Sequence, residues 1–530
     1  MQPSSPAQGN GDASSHGESP SSATKLTVDQ VIDQCGTGQF QRTALLICGI
    51  GFASDALEVS LLSFIGLCAQ EDWGLNTEEV DLLSSCVFAG EFLGAVIFGV
   101  ACDHYGRKRT FVIAITLIAV AGFLSALAPS YMYLLVLRTL VGVGIGGMFV
   151  PFDLLAEVVP TASRGRYLSY TNFFWTFGSI SMVLLAWASL GSLGWRGLAM
   201  LAAIPPAISL LCLPFLPESP RWLMSRQTPR EREAVEALRA IGKANGKSLP
   251  DDLELIAESH EVSEEGLKNV AELFYPKIRR TTISLWIVWF CFGVVYYGVV
   301  LLNGREFEKS EAEENGVCSF AYLDMLIVSM SEVLGTCMLV IIIDTLGRRL
   351  SQALTYSLCA ILIIPVGAVY KAGQKTAFLF FARAMVLVGS AASWVAAPEL
   401  YPTEIRGTGH AAAGLVNKVG AFIAPFWVNS PLGDMNVVLG LAACSAVAGA
   451  AALILPETVS VQLGHDLEMS VTEDEVELTA CIGSGCWERL AGRGSIKHAP
   501  LSGTSSQRSS NSSDVHADIT FPTENVPQLL

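Results

Sequence analysis

A few ionisable residues stand where the chain is otherwise apolar. Asp55 and Glu58 lie one turn apart in the first long apolar run and would share a helix face. Arg138 opens the fourth run, in Arg138-Thr139-Leu140-Val141-Gly142-Val143-Gly144-Ile145-Gly146-Gly147, and Asn417-Lys418 lies within the eleventh. A charge at the centre of a membrane helix costs on the order of 3 kcal/mol, so such residues usually serve ion pathways, proton relays or counter-ion roles. A carboxylate beside a cation keeps its charge, whereas the same carboxylate desolvated alone takes up a proton. A conformational change that trades one surrounding for the other therefore moves a proton. The glycines after Arg138 permit close helix approach, and we expect the first and fourth helices to bring Asp55 and Arg138 into contact, with Glu58 beside them. The plainer alternative is a permanent structural ion pair. Lys418 is either a counter-ion for an anionic solute or the partner of a second-half acid such as Glu399.

A second set of charges is repeated. Asp103-His104-Tyr105-Gly106-Arg107-Lys108-Arg109 returns 241 positions later as Asp344-Thr345-Leu346-Gly347-Arg348-Arg349. Glu157…Pro160-Thr161…Arg164-Gly165 returns as Glu399…Pro402-Thr403…Arg406-Gly407, and Pro217-Glu218-Ser219 returns as Pro456-Glu457-Thr458. Patterns in one order at nearly one offset mark a half-protein written twice. Anchoring at a membrane face needs only Lys and Arg; the Asp and Gly held at fixed spacing point to a latch as well. Cations favour a helix C-terminus and a carboxylate one turn away can hold them. Glu157, Arg164, Glu399 and Arg406 can supply partners that form in one state and break in another, a two-state gate. Glu91 and Glu332 repeat too, which favours packing or gating over solute contact.

The elements that must position these residues are membrane helices. Half of the 530 residues are apolar and only 15% are charged. Twelve apolar segments between 44 and 455 each match the ~20 residues a spanning helix needs. The expected organisation is an N-terminal tail with a short amphipathic helix capped by Thr27 (1–43), a six-helix half (44–216), a polar central loop (217–280), a second six-helix half (281–456) and a disordered tail (457–530). The short loops carrying Arg107, Arg164, Arg348 and Arg406 hold most of the Lys and Arg, so both termini and the central loop are expected to be cytosolic. The net charge of −16 lies mostly outside the apolar runs and says little of the solute. Thirteen cysteines show no metal-ligand spacing; Cys68 and Cys318 fall in the opposite loops, where a disulfide is possible.

The Gly99…Asp103-x-x-Gly106-Arg107-Lys108-Arg109 motif, its echo and the 6+6 layout resemble the major facilitator superfamily. Pro217-Glu218-Ser219-Pro220-Arg221-Trp222-Leu223 and Pro398-Glu399-Leu400-Tyr401-Pro402-Thr403 are similar to its sugar-porter and organic-ion branches. Thr27-Val28-Asp29…Gly38-Gln39-Phe40-Gln41 resembles the synaptic vesicle 2-related proteins. The resemblance implies an all-α membrane fold and alternating access around a midplane site. It also implies a proton switch at Asp55 and Arg138 and a solute cavity lined by Tyr296 and Tyr297, to which we expect Trp394, Asn417 and Lys418 to contribute. The expected activity is secondary, proton-coupled transport of a small organic ion, aromatic carboxylate or sugar-like solute. An uncoupled facilitator and a non-transporting vesicle protein are the alternatives. With no phosphate-binding loop and no nucleophile constellation, an enzyme or ATP-driven pump is not expected. The expected partners are solute, protons and the bilayer of a plasma or vesicle membrane, with no cofactor, metal or nucleic acid, and a monomeric chain.

Overall fold

The structure, a computed structural model, describes residues 24–225, 229–250, 253–256, 270–308, 318–369, 371–401 and 405–458. The serine-rich ends, the acidic residues at 311–314 and Pro402-Thr403 of the second repeated motif lie outside the described residues, as does the Asp344 side chain.

The fold is all-α. Eleven helices among the described residues are long and apolar enough to cross a membrane. They are Gln39–Trp73, Thr77–Tyr105, Arg107–Ala126, Tyr131–Val158, Thr161–Phe215, Arg279–Glu306, Tyr322–Ile343, Gly347–Gly367, Ala372–Glu399, Arg406–Val428 and Asp434–Ala452. One of them, Thr161–Phe215, has 55 residues, roughly 80 Å at 1.5 Å per residue and far more than one bilayer crossing. Gly194 divides it: its φ of 62° is left-handed, open to glycine and costly for other residues. Counted on either side of Gly194, the spans number twelve, and they are called first to twelfth below.

Small residues set the closest crossings. On Gly142, a Cβ would lie 2.1 Å from the Val87 carbonyl oxygen; on Gly94, 2.0 Å from that of Val143. The second and fourth spans therefore touch backbone to backbone, as small-xxx-small faces do. The glycine run after Arg138 thus serves the second span (Gly142, Gly146) and the third (Gly144) and not, as the sequence suggested, the first. In the second half Gly293 and Gly420 seat the seventh span on the eleventh, with the same backbone approach.

The basic face carries an added layer. Thr27 caps α1 (Val28–Cys35) with the reciprocal Thr27–Gln30 bonds expected of its sequence. α2 (Pro220–Met224) follows the sixth span, and α3 (Glu231–Ala244) buries Ala234, Val235, Leu238 and Ile241. Asn245 ties these pieces together, its amide donating to the carbonyls of Cys35 and Gly36 and to Gln41. β1 (Thr24–Leu26) and β2 (Leu253–Leu255) pair in parallel, so the segment before the first span and the central loop form one layer.

Candidate functional site

Three charged groups occupy the middle of the bundle. In the first, Arg138 Nη1 lies 2.8 Å from Glu58 Oε2, and both side chains are fully buried. Arg138 Nε also donates to Ser125 Oγ at 3.1 Å. The expected Asp55–Arg138 contact is not formed: Glu58, one turn further along the same helix, takes the arginine. The physical reason is the crossing just described. With the fourth span held against the second, the arginine meets the first span at Glu58.

In the second group, at the centre of the other half, Arg383 donates to Glu332 Oε1 from Nε (3.1 Å) and Nη2 (2.8 Å). Tyr296 donates its hydroxyl to the same oxygen at 3.1 Å, and Trp175 of the first half donates to Tyr296 at 2.6 Å. A relay of four side chains thus joins the fifth, seventh, eighth and tenth spans, and such chains strengthen each member. A small cavity beside it is lined by Asn172, Trp175, Thr336 and Leu387.

The third group bridges the halves. Lys418 of the eleventh span is ion-paired with Glu91 of the second, and donates to the Tyr297 hydroxyl at 3.3 Å. Its partner is therefore a first-half acid, not Glu399, because the eleventh span packs on the second at this depth. Asp55 is 8% exposed and within electrostatic reach of Glu91, Lys418 and Glu58. Its Oδ1 has no hydrogen-bond partner. Asn417 donates to the Trp289 carbonyl oxygen at 3.2 Å, so it serves the seventh–eleventh crossing. Trp394 packs at a tilt against Trp289, with ring centroids 4.8 Å apart, and edge-on to His410 at 5.1 Å, nearer the basic face.

At the basic face the duplicated motifs fold alike. Arg107 Nε donates to Glu157 (3.1 Å) and Nη1 to Asp103 (3.3 Å). Arg348 Nε donates to Glu399 at 3.0 Å. Glu218 accepts from the Lys108 amide (2.9 Å), and Glu457 from the amides of Arg348 (2.8 Å) and Arg349 (3.1 Å). Each carboxylate caps the start of the third or ninth span, where free amides and the helix dipole favour an anion. The sequence showed Glu218 and Glu457 as repeated but not what they do. Gly106 (φ 99°) and Gly347 (φ 82°) let these caps approach: a Cβ on either would stand 2.5 Å from a Glu218 or Glu457 oxygen. Arg164 donates to Thr161 Oγ1 at 3.4 Å, while Asp29 takes Arg221 at 2.6 Å. Both ion pairs, Arg107–Glu157 and Arg348–Glu399, stay within one half.

The opposite face joins the halves. Cys68 and Cys318 form a disulfide across them, Asn429 donates to Asp81 at 2.5 Å and Ser63 to the Val300 carbonyl oxygen at 3.1 Å. Two six-span halves joined at one face, with a separate ion-pair cluster in each half at the other and charges between them, match the layout of major facilitator carriers built from two repeats.

The family described as "Sugar (and other) transporter" matches residues 42–466. The chain belongs to that family, within the major facilitator superfamily. Synaptic vesicle 2-related protein of Bos taurus is 34% identical over 453 residues, covering 81% of this chain and 80% of that one. Organic cation/carnitine transporter 7 of Arabidopsis thaliana is 33% identical over 443 residues, covering 76% and 88%. The E. coli xylose transporter in its inward-open conformation shares the fold, with a TM-score of 0.64 at 18% identity, covering 81% of this chain and 99% of that one. This family membership makes the chain an integral membrane transporter and not an enzyme.

Proposed function

We propose that this major facilitator protein moves a small organic solute across a membrane by alternating access, coupled to protons through Asp55. The observation that carries the coupling is that carboxylate. It is buried and has an oxygen without a partner, while the nearest arginine is committed to Glu58. A carboxylate so placed gains or loses a proton when its surroundings change. Glu58–Arg138 and Glu332–Arg383 are closed pairs whose role is to hold each half rigid as it rocks. Tyr296, Tyr297, Trp175 and Lys418 line the path between the halves, and Trp394 stands at its basic-face end. Asn417 supports this path from behind. An organic ion fits these residues better than a sugar, since aromatic rings and charges outnumber neutral polar groups there. Two similar proteins, an organic cation/carnitine transporter and a proton:xylose symporter, are consistent with an organic ion and with proton coupling respectively.

The basic face is assigned to the cytosol by its Arg and Lys residues. The Arg107–Glu157 and Arg348–Glu399 clusters then act as the cytosolic gate. The vesicle membrane is the location its synaptic vesicle 2-related relative suggests. The test is uptake of a solute panel into proteoliposomes with and without a pH gradient. Uphill accumulation should need the gradient and be lost in Asp55→Asn. Equilibrative uptake that is indifferent to the gradient and intact in Asp55→Asn would make the protein an uncoupled facilitator.

A further inference from the structure

The charges between the halves do not sum to zero. Each buried arginine has its own carboxylate, Glu58 for Arg138 and Glu332 for Arg383. The repeat relates Glu91 to Glu332, so symmetry would hand Arg138 to Glu91. Glu58 takes it instead, and Glu91 is matched by Lys418 from the opposite half. Asp55 remains over. With both acids ionised, Asp55, Glu91 and Lys418 would together carry one negative charge in a buried position.

Two further observations point to a cation as the ligand this cluster suits. Asp55 Oδ1 and Glu91 Oε1 are both buried without a hydrogen-bond partner; Asp55 is 8% exposed and Glu91 0%. An aromatic wall stands beside them: Tyr297 has Phe88 at 4.7 Å, and Lys418 Nζ lies 5.6 Å from the Tyr297 ring centroid. Carboxylates beside aromatic faces suit an organic ammonium group. An anion there would raise the buried charge to two, because Lys418 is already used.

We propose that the Asp55–Glu91–Lys418 cluster accepts one monovalent cation at a time, either a proton or an organic ammonium-type solute, and so exchanges one for the other. This rests on the transport reading above. The groups that face it are Asp55 and Glu58 of the first span, Glu91 of the second, Tyr297 of the seventh and Lys418 of the eleventh, with Arg138 behind Glu58. When the solute binds, the proton leaves the same carboxylates, and the charge balances in both loaded forms. The empty form keeps an uncompensated buried charge, which disfavours its rocking. Exchange follows from that difference.

The test uses full-length protein in detergent and its thermal unfolding with three probes: tetraethylammonium, 1-methyl-4-phenylpyridinium and benzoate. A ligand raises the midpoint according to its occupancy. At least one cation should raise it at neutral pH, by an amount that shrinks severalfold at mildly acidic pH, and benzoate should do nothing. Asp55→Asn should abolish the cation response and Asp55→Glu should keep it. If Asp55→Asn does not fold, the wild-type pH comparison and Asp55→Glu decide. Stabilisation by benzoate above that of either cation, no response to either cation, or an equal cation response at both pH values would overturn the proposal. In proteoliposomes, solute and protons moving in the same direction would overturn the exchange and leave the transport reading standing. The expected binding with no flux of any probe would support the cation site and overturn the transport reading.

Discussion

Among the buried charges, two kinds behave differently. Arg138 and Glu58 form a fully buried ion pair, so removing one strands the other's charge, a loss of about 3–5 kcal/mol for a buried pair. Glu58→Gln is therefore expected to lower the thermal midpoint by several degrees at every pH. Asp55→Asn removes a buried carboxylate that forms no ion pair among the described residues, and its midpoint should stay near the wild-type value while pH-driven accumulation is lost. Thermal unfolding of the two variants side by side checks the contrast. A comparable fall in both would make Asp55 a structural residue. The sequence placed both acids on one helix face and named Arg138 as a partner, but it could not choose between residues one turn apart. That choice depends on where the fourth span crosses, and the crossing is set by Gly94 and Gly142 of a different helix pair. The Lys418–Glu91 bridge was out of reach for a similar reason, since its residues lie 327 positions apart in different halves.

For the helices, legibility was high. Length and apolarity revealed the spans, because a bilayer fixes both. The Thr27 cap was also plain, since its signal is local. The role of Glu218 and Glu457 was not, although both motifs were seen to repeat. Their carboxylates act on helices that begin far away in sequence, at Arg107 and Gly347. Gly106 makes this geometry possible in the first half. Gly106→Ala should cost about 1–2 kcal/mol from its left-handed backbone alone, and should also push Glu218 away. The costs of Gly106→Ala and Glu218→Ala should therefore add to more than their combined loss in the double variant, because both disrupt one cap. Additive costs would show that Glu218 does not act through this turn. Transport should slow in each variant while the spans still assemble, as circular dichroism would report.

The whole molecule is fastened at one face and held by separate clusters at the other. The Cys68–Cys318 bond spans 250 residues; a crosslink over so long a loop contributes roughly 5 kcal/mol by constraining the unfolded chain. Reduction, or the Cys68→Ser, Cys318→Ser variant, should lower the thermal midpoint and make that face open more readily. Faster labelling of a cysteine introduced at Ser63 would report the opening. An unchanged labelling rate would mean the disulfide stabilises the fold without restraining the halves. The duplication itself was readable from the sequence, but the asymmetry within it was not, because only the folded halves show which acid each arginine takes.

The central claim is that solute and proton movements are joined at Asp55. The most direct measurement is the lumenal pH of proteoliposomes containing a trapped pH-sensitive dye while solutes are added outside. The account predicts that a transported organic ion shifts the lumenal pH in the wild type and leaves it unmoved in Asp55→Asn. Solute entry with no pH change in the wild type, or the same change in both proteins, would contradict it.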